Sequence, residues 1–150
     1  MATVEEIKAL REETGLSIME CQKALEEAGG DKTKAIELLK KRGAEIAVKK
    51  GSRTLGAGVV VSYIHTGETV GVILEFLCET DFVAKNPEFK SVARDIAMHV
   101  AAMKPVDTAE LLEQPFIKDS GLKISDLVNN TVQKFGERSE IGQFVRLAIN

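Results

Sequence analysis

Gly58-Val59-Val60-Val61-Ser62-Tyr63-Ile64-His65-Thr66-Gly67-Glu68-Thr69-Val70-Gly71-Val72-Ile73-Leu74-Glu75-Phe76-Leu77-Cys78 decides the fold. Two runs rich in Val, Ile, Tyr and Phe, Gly58 to His65 and Thr69 to Cys78, flank a short Thr66-Gly67-Glu68 turn, which predicts a β-hairpin. Apolar residues occupy both alternating sets: Val59, Val61 and Tyr63 against Val60 and Ile64, then Val72, Leu74 and Phe76 against Ile73 and Leu77. Both faces of such a sheet need a cover. The next segment supplies one. Asn86 caps a helix with Pro87 at its first position, and Phe89, Val92, Ala93, Ile96, Ala97, Val100 and Met103 follow helical spacing until Pro105. A second copy related by a two-fold axis is the expected cover for the other face, so a homodimer through the core sheet is predicted.

Further on, a looser segment through Pro115 and Gly121 leads to Ser125, read as the cap of a helix bearing Leu127, Val128, Val132 and Phe135 and ended by Gly136. Gln143 to Ile149 alternates like a half-buried strand and is expected to join the hairpin as a third antiparallel strand.

Upstream, the pattern turns helical. Thr3-Val4-Glu5-Glu6 and Ser17-Ile18-Met19-Glu20 are two capping boxes, with Gly15 stopping the first helix. Val4, Ile7 and Leu10 stripe the first helix, and Ile18, Cys21, Ala24, Leu25 and Ala28 the second. Gly29-Gly30 ends the second, Asp31 caps a third through Leu39, and Ala44 to Lys50 reads as a further helical piece after Gly43. Gly51 to Gly56 is the clearest linker. The expected organisation is therefore a three-helix module over residues 1–50, a linker over 51–56 and a core over 57–150: an α+β chain whose three-stranded antiparallel sheet is packed by helices.

The whole has 150 residues, 44% of them hydrophobic and 29% charged, which suits a globular chain able to bury a core. A formal charge of −3 gives no general attraction to nucleic acid or acidic lipid. Lys40, Lys41, Arg42, Lys49, Lys50 and Arg53 make one basic stretch, but no aromatic residue interleaves with them, so they read as a solvated helix and linker, with no specific nucleic-acid site. Two distant cysteines, Cys21 and Cys78, support neither a disulfide framework nor a zinc site, and fit a reducing compartment. The acidic start, Met1 to Glu6, lacks the features of a signal or transit peptide, and no apolar run approaches the ~20 residues of a membrane helix. A cytoplasmic protein without membrane segment, metal or cofactor is expected.

Catalytic groups are sparse. Cys78 ends a strand where a buried thiol is common, His99 lies at the margin of an apolar stripe, and His65 precedes a turn, so a cysteine hydrolase has little to stand on. Two other places are more informative. Met19 lies about 100° from Ile18 on the helical wheel and should be exposed. Leu16, in the tight turn, is free to face outward, and Arg11 lies one turn beyond Ile7 at the same end. Such an apolar patch beside a cation suits docking, although scattered surface apolar residues explain it as well on composition alone. In Cys78-Glu79-Thr80-Asp81-Phe82-Val83-Ala84-Lys85, expected as a loop, Phe82 is either a functional projection or a plug for the core.

At these two places the chain resembles the bacterial elongation factor Ts family, which recycles the translational GTPase elongation factor Tu. Leu10-Arg11-Glu12-Glu13-Thr14-Gly15-Leu16-Ser17-Ile18-Met19-Glu20-Cys21-Gln22-Lys23-Ala24-Leu25 and Glu79-Thr80-Asp81-Phe82-Val83-Ala84-Lys85 carry the resemblance, in the family's order and spacing. It extends through Ile96 to Ala102 and Leu112 to Phe116 to the terminal Phe144-Val145-Arg146. The resemblance implies a module like ubiquitin-associated domains, then a dimerisation-type core, in a guanine-nucleotide exchange factor with no covalent chemistry. It implies docking on the nucleotide-binding domain of elongation factor Tu through Arg11, Ile18 and Met19, to which the turn residue Leu16 is added. Thr80 to Val83 would form a wedge whose tip, Asp81 and Phe82, enters near the partner's magnesium and phosphate site. Larger members carry a second core subdomain, and this chain has room for one. A rival reading is a non-catalytic adaptor that binds through its helical module and dimerises through its core, and it gives Thr80 to Val83 no role.

Overall fold

The structure, a computed structural model, describes residues 1–149; residue 150, the end of the expected core, lies outside the described residues. Helix α1 (Val4–Thr14) begins in a capping box between Thr3 and Glu6 and stops where Gly15 takes φ 71. Helix α2 (Ile18–Glu27) repeats the device with Ser17 and Glu20. Helix α3 runs unbroken from Lys32 to Lys49, so the separate piece expected after Gly43 is part of it. Gly43 survives inside a helix, where it costs about 1 kcal/mol relative to alanine, because a Cβ there would press on Gln133 at 3.2 Å. The glycine lets α3 lie close against the last helix of the chain, and that contact joins the helical module to the core.

Strands β1 (Ala57–Ile64) and β2 (Val70–Cys78) form the expected hairpin, closed by left-handed Gly67 and Glu68. Strand β5 (Glu140–Ala148) pairs antiparallel with β2, giving the order β1-β2-β5. Its register slips opposite Glu75, whose carboxylate accepts from the Gln143 N–H at 2.8 Å. A side chain at Gly142 would meet the Glu75 Cβ at 3.0 Å, so the bulge needs glycine there. Between the hairpin and β5 come the short helix α4 (Asp81–Ala84) and helix α5 (Pro87–Met103), capped by Asn86 as expected.

The segment read as loose is ordered: α6 (Thr108–Glu113), a small ladder of β3 (Pro115–Phe116) and β4 (Asp119–Lys123), then α7 (Ile124–Phe135). Ser125 lies inside α7 rather than capping it, because the Asp126 carboxylate reaches back to the Lys123 N–H at 2.9 Å and fixes the start two residues earlier.

Buried side chains gather into two clusters. One, inside the three helices, holds Leu10, Leu16, Cys21, Ala24, Leu25, Ala35 and Leu39. The other lies between the sheet and α5–α7 around Val72, Leu74, Phe76, Phe89, Ile96 and Val100. His99 belongs inside this core rather than at its margin. Its Nε2 bonds the Gln114 side-chain oxygen at 2.9 Å, and its Nδ1 accepts from the Ile117 N–H at 3.1 Å. Burial lowers its pKa, so the ring is a neutral structural link. The opposite face of the sheet, with Val60, Ile64, Ile73, Val145 and Leu147, is exposed within the chain.

Candidate functional site

The turn between α1 and α2 sorts its apolar residues differently from the wheel. Left-handed Gly15 reverses the chain, Thr14 Oγ1 accepts from the Leu16 N–H at 3.3 Å, and Leu16 turns inward until only 1% of it is exposed. The outward Leu16 expected from the sequence is corrected: it belongs to the core of the helical module. Ile18, placed on the buried stripe by periodicity, is instead 56% exposed, and Met19 beside it is 70% exposed. Leu16 joins the buried cluster with Cys21, Ala24 and Leu25, and Ile18, the first residue of α2, does not. Arg11 is exposed on the last turn of α1. Of the residues expected in the surface patch, Arg11, Ile18 and Met19 are exposed and Leu16 is not.

At the other place, the expected loop is a capped helical turn. Thr80 Oγ1 accepts from the Val83 N–H at 3.4 Å and starts α4. One turn of helix divides its residues sharply. Val83 and Ala84 enter the core, whereas Asp81 is exposed and Phe82 is 87% exposed. Phe82 thus plugs nothing. Val83, expected in the wedge, anchors the turn from below, because successive helical residues lie about 100° apart.

Two carboxylates hold the base of this turn. Glu137, just past left-handed Gly136, accepts from the Glu79 and Thr80 N–H groups at 3.1 and 3.0 Å and from the Thr80 hydroxyl at 2.7 Å. In return the Glu79 carboxylate accepts from the Arg138 N–H and pairs with Arg53 at 3.3 Å. Donation from the Arg138 amide holds the Glu79 carboxyl below the usual carboxylate range. Neither Glu137 nor Arg138 stood out in the sequence; they lie more than fifty residues from their partners, and no local period marks them.

Lys134 bridges the α1–α2 turn and the start of α5. It pairs with Glu88 in the first turn of α5, and its ammonium lies 3.3 Å from where a Cβ on Gly15 would stand. A cleft of about 220 Å³ between them is lined by Glu12, Thr14, Glu88 and Lys134. The basic stretch is partly engaged internally: Lys40 bonds the Gly121 carbonyl at 2.6 Å and Arg42 pairs with Glu27 at 2.6 Å. Cys21 and Cys78 are free and buried, and burial raises both thiols. A buried, protonated thiol is a poor nucleophile, which leaves the hydrolase reading without an attacking group.

The family model described as elongation factor TS matches residues 2–110 and 79–150, two overlapping segments that span nearly all of the sequence. The chain belongs to the elongation factor Ts family. It is similar to elongation factor Ts of Desulforamulus reducens, 40% identical, with 93% of this chain and 85% of that protein covered. Elongation factor Ts of Carboxydothermus hydrogenoformans is also 40% identical, with 99% and 89% covered, and that of Thermotoga maritima is 38% identical, with 95% and 94% covered. The first two alignments run over 185 and 194 positions, more than the 150 residues here, so those relatives carry internal residues with no counterpart in this chain. As a member of the elongation factor Ts family it is a guanine-nucleotide exchange factor for elongation factor Tu in translation elongation. Among the described residues no helix is long and apolar enough to cross a membrane.

Proposed function

We propose that exchange works through two surfaces of this chain: Arg11, Ile18 and Met19 dock on the nucleotide-binding domain of elongation factor Tu, and Phe82 with Asp81 is pressed toward the partner's magnesium and phosphate site. The observation that carries this reading is Phe82, a large aromatic side chain held 87% exposed by a turn whose next two residues, Val83 and Ala84, are buried. Keeping it in water forgoes about 2–3 kcal/mol of burial, which becomes available on insertion into a partner. Magnesium demands near-ideal octahedral geometry, so a small displacement of its surroundings weakens the bound nucleotide. By linkage, a factor that binds the nucleotide-free partner more tightly than the GDP-bound one must weaken GDP by the same ratio. Binding energy does the work, and the reading gives the chain no enzymatic group, cofactor or nucleic-acid partner of its own. It places the protein in the cytoplasm, where translation takes place.

The test of docking is titration calorimetry against nucleotide-free elongation factor Tu. Arg11→Ala and Met19→Ala should each weaken binding by roughly 5- to 30-fold, the equivalent of about 1–2 kcal/mol at an interface. Both side chains are exposed, so melting temperatures should not move. Unchanged affinity for both variants would sink the docking assignment.

The same reading divides the chain into a ubiquitin-associated-like module over residues 1–50, a linker over 51–56 and a core over 57–150, and makes the core the dimer interface. Support comes from Val60, Ile64, Ile73, Val145 and Leu147, which form an exposed apolar face across all three strands. A second copy would cover it with the same residues, standing in for the core subdomain that longer members carry. Ile73→Glu combined with Leu147→Glu should convert a dimer into a monomer in sedimentation at micromolar concentration. A wild-type chain that sediments as a monomer overturns the dimer.

A further inference from the structure

We infer that Glu137 is a positioning residue for exchange: its carboxylate holds the turn that presents Phe82, and it acts through that side chain without touching the partner. The inference rests on the wedge reading of Phe82 and names what keeps the wedge in place.

The last ladder pair of β2 is Cys78 with Ala57, so Glu79 and Thr80 have run past the sheet, and their N–H groups have no strand to bond. A single carboxylate collects both, together with the Thr80 hydroxyl. Carboxylate suits this place because it offers two acceptor oxygens and no donor, matching three donors converging from one side. The hydroxyl so fixed is the one that caps α4 through the Val83 N–H, and Phe82 lies within that first turn. A short chain of bonds therefore runs from Glu137 through Thr80 to the backbone that aims Phe82.

Two further features point the same way. Glu137 is half-buried and forms no ion pair among the described residues, so the hydrogen bonds its carboxylate makes all go to this turn. The exchange is also reciprocal, since the Glu79 carboxylate takes the Arg138 N–H. Each segment thereby accepts from the other's backbone, which fixes their mutual position in a way that one side-chain contact would not.

The experiment follows GDP release from elongation factor Tu loaded with fluorescent GDP, using the full chain as wild type, Glu137→Ala, Glu137→Gln, Phe82→Ala and the double variant Glu137→Ala/Phe82→Ala. Glu137→Ala should lower the maximal release rate at saturating factor by roughly tenfold, the order expected of a misplaced side chain. Its half-saturating concentration should change less than about twofold, because the docking residues are untouched. Glu137→Gln keeps one oxygen for the two amides and should recover most of the rate. The double variant should be no slower than Phe82→Ala alone, since a residue acting through Phe82 has nothing left to aim. Amide hydrogen exchange should quicken at Glu79 and Thr80 and not at Val72 or Leu74 in β2.

A wild-type rate for Glu137→Ala beside a slowed Phe82→Ala overturns the inference, as does a double variant slower than Phe82→Ala by the full factor of Glu137→Ala. If Phe82→Ala alone is without effect, the wedge reading falls and takes this inference with it, a failure visible with residue 137 intact. Should Glu137→Ala not fold, Glu137→Asp, one methylene short of the two amides, takes its place in both comparisons, and the same rates support or overturn the inference.

Discussion

Phe82→Ala is expected to slow stimulated GDP release by roughly 30- to 150-fold, the equivalent of the about 2–3 kcal/mol that a phenylalanine side chain gains on burial. The fold should hardly notice. Phe82 is 87% exposed, and the substitution removes a ring from water, leaving Val83 and Ala84 anchored beneath it. Melting temperature should stay within about 2 °C of wild type, as for surface substitutions away from packing. Release at the original rate would end the wedge reading. A large loss of stability would make Phe82 a core residue after all. Stopped-flow nucleotide release and thermal circular dichroism together decide the matter.

Phe89→Ala should do the reverse. Seven residues further on, this second phenylalanine is fully buried, stacked on Phe76 with ring centroids 4.6 Å apart and meeting Phe135 edge-on at 6.1 Å. Removing it deletes the central ring of a three-ring cluster and leaves a cavity between β2, α5 and α7, with an expected loss of about 3–5 kcal/mol. Small domains hold only about 5–15 kcal/mol in total, so a measurable fraction should unfold at growth temperature. The chain has no tryptophan, so urea unfolding is followed by circular dichroism. A loss below about 1 kcal/mol would mean that the stack closes over the gap and that the core is less rigid than its packing indicates. Exchange activity of the fraction still folded should be nearly normal.

The contrast between these two rings also marks where sequence reading succeeds and where it stops. Phe89 falls on a seventeen-residue helix with a clear 3.6 period, and its burial was legible from Val92, Ala93, Ile96 and Val100. Phe82 sits in a four-residue helix, too short for any period, and only the structure chooses between plug and projection. Leu16 shows the same limit. It lies in a turn where one left-handed glycine sets its direction, and the wheel that exposed Met19 correctly has no purchase on it. Ile18 keeps the spacing of the buried stripe yet stays exposed, because it stands at the first position of α2, where the stripe has no preceding turn to pack beside it. The capping boxes of α1 and α2, the Asn86-Pro87 start of α5 and the third strand were readable because each is encoded within a few consecutive residues. The bonds between Glu137 and Thr80 span 57 positions, and only the folded chain brings them together.

The strand order β1-β2-β5 bears on mechanics as well as on topology. A part that prises must yield less than what it prises, or the push is spent in its own recoil. The projecting ring is mounted at the end of β2, the middle strand, bonded along both edges, rather than on either outer strand, which is bonded along only one. Middle strands are among the last elements of a domain to open locally. On the wedge reading proposed above, compliance is lowest directly behind the point of thrust, and the bending falls on elongation factor Tu, the member of the pair that has to give way.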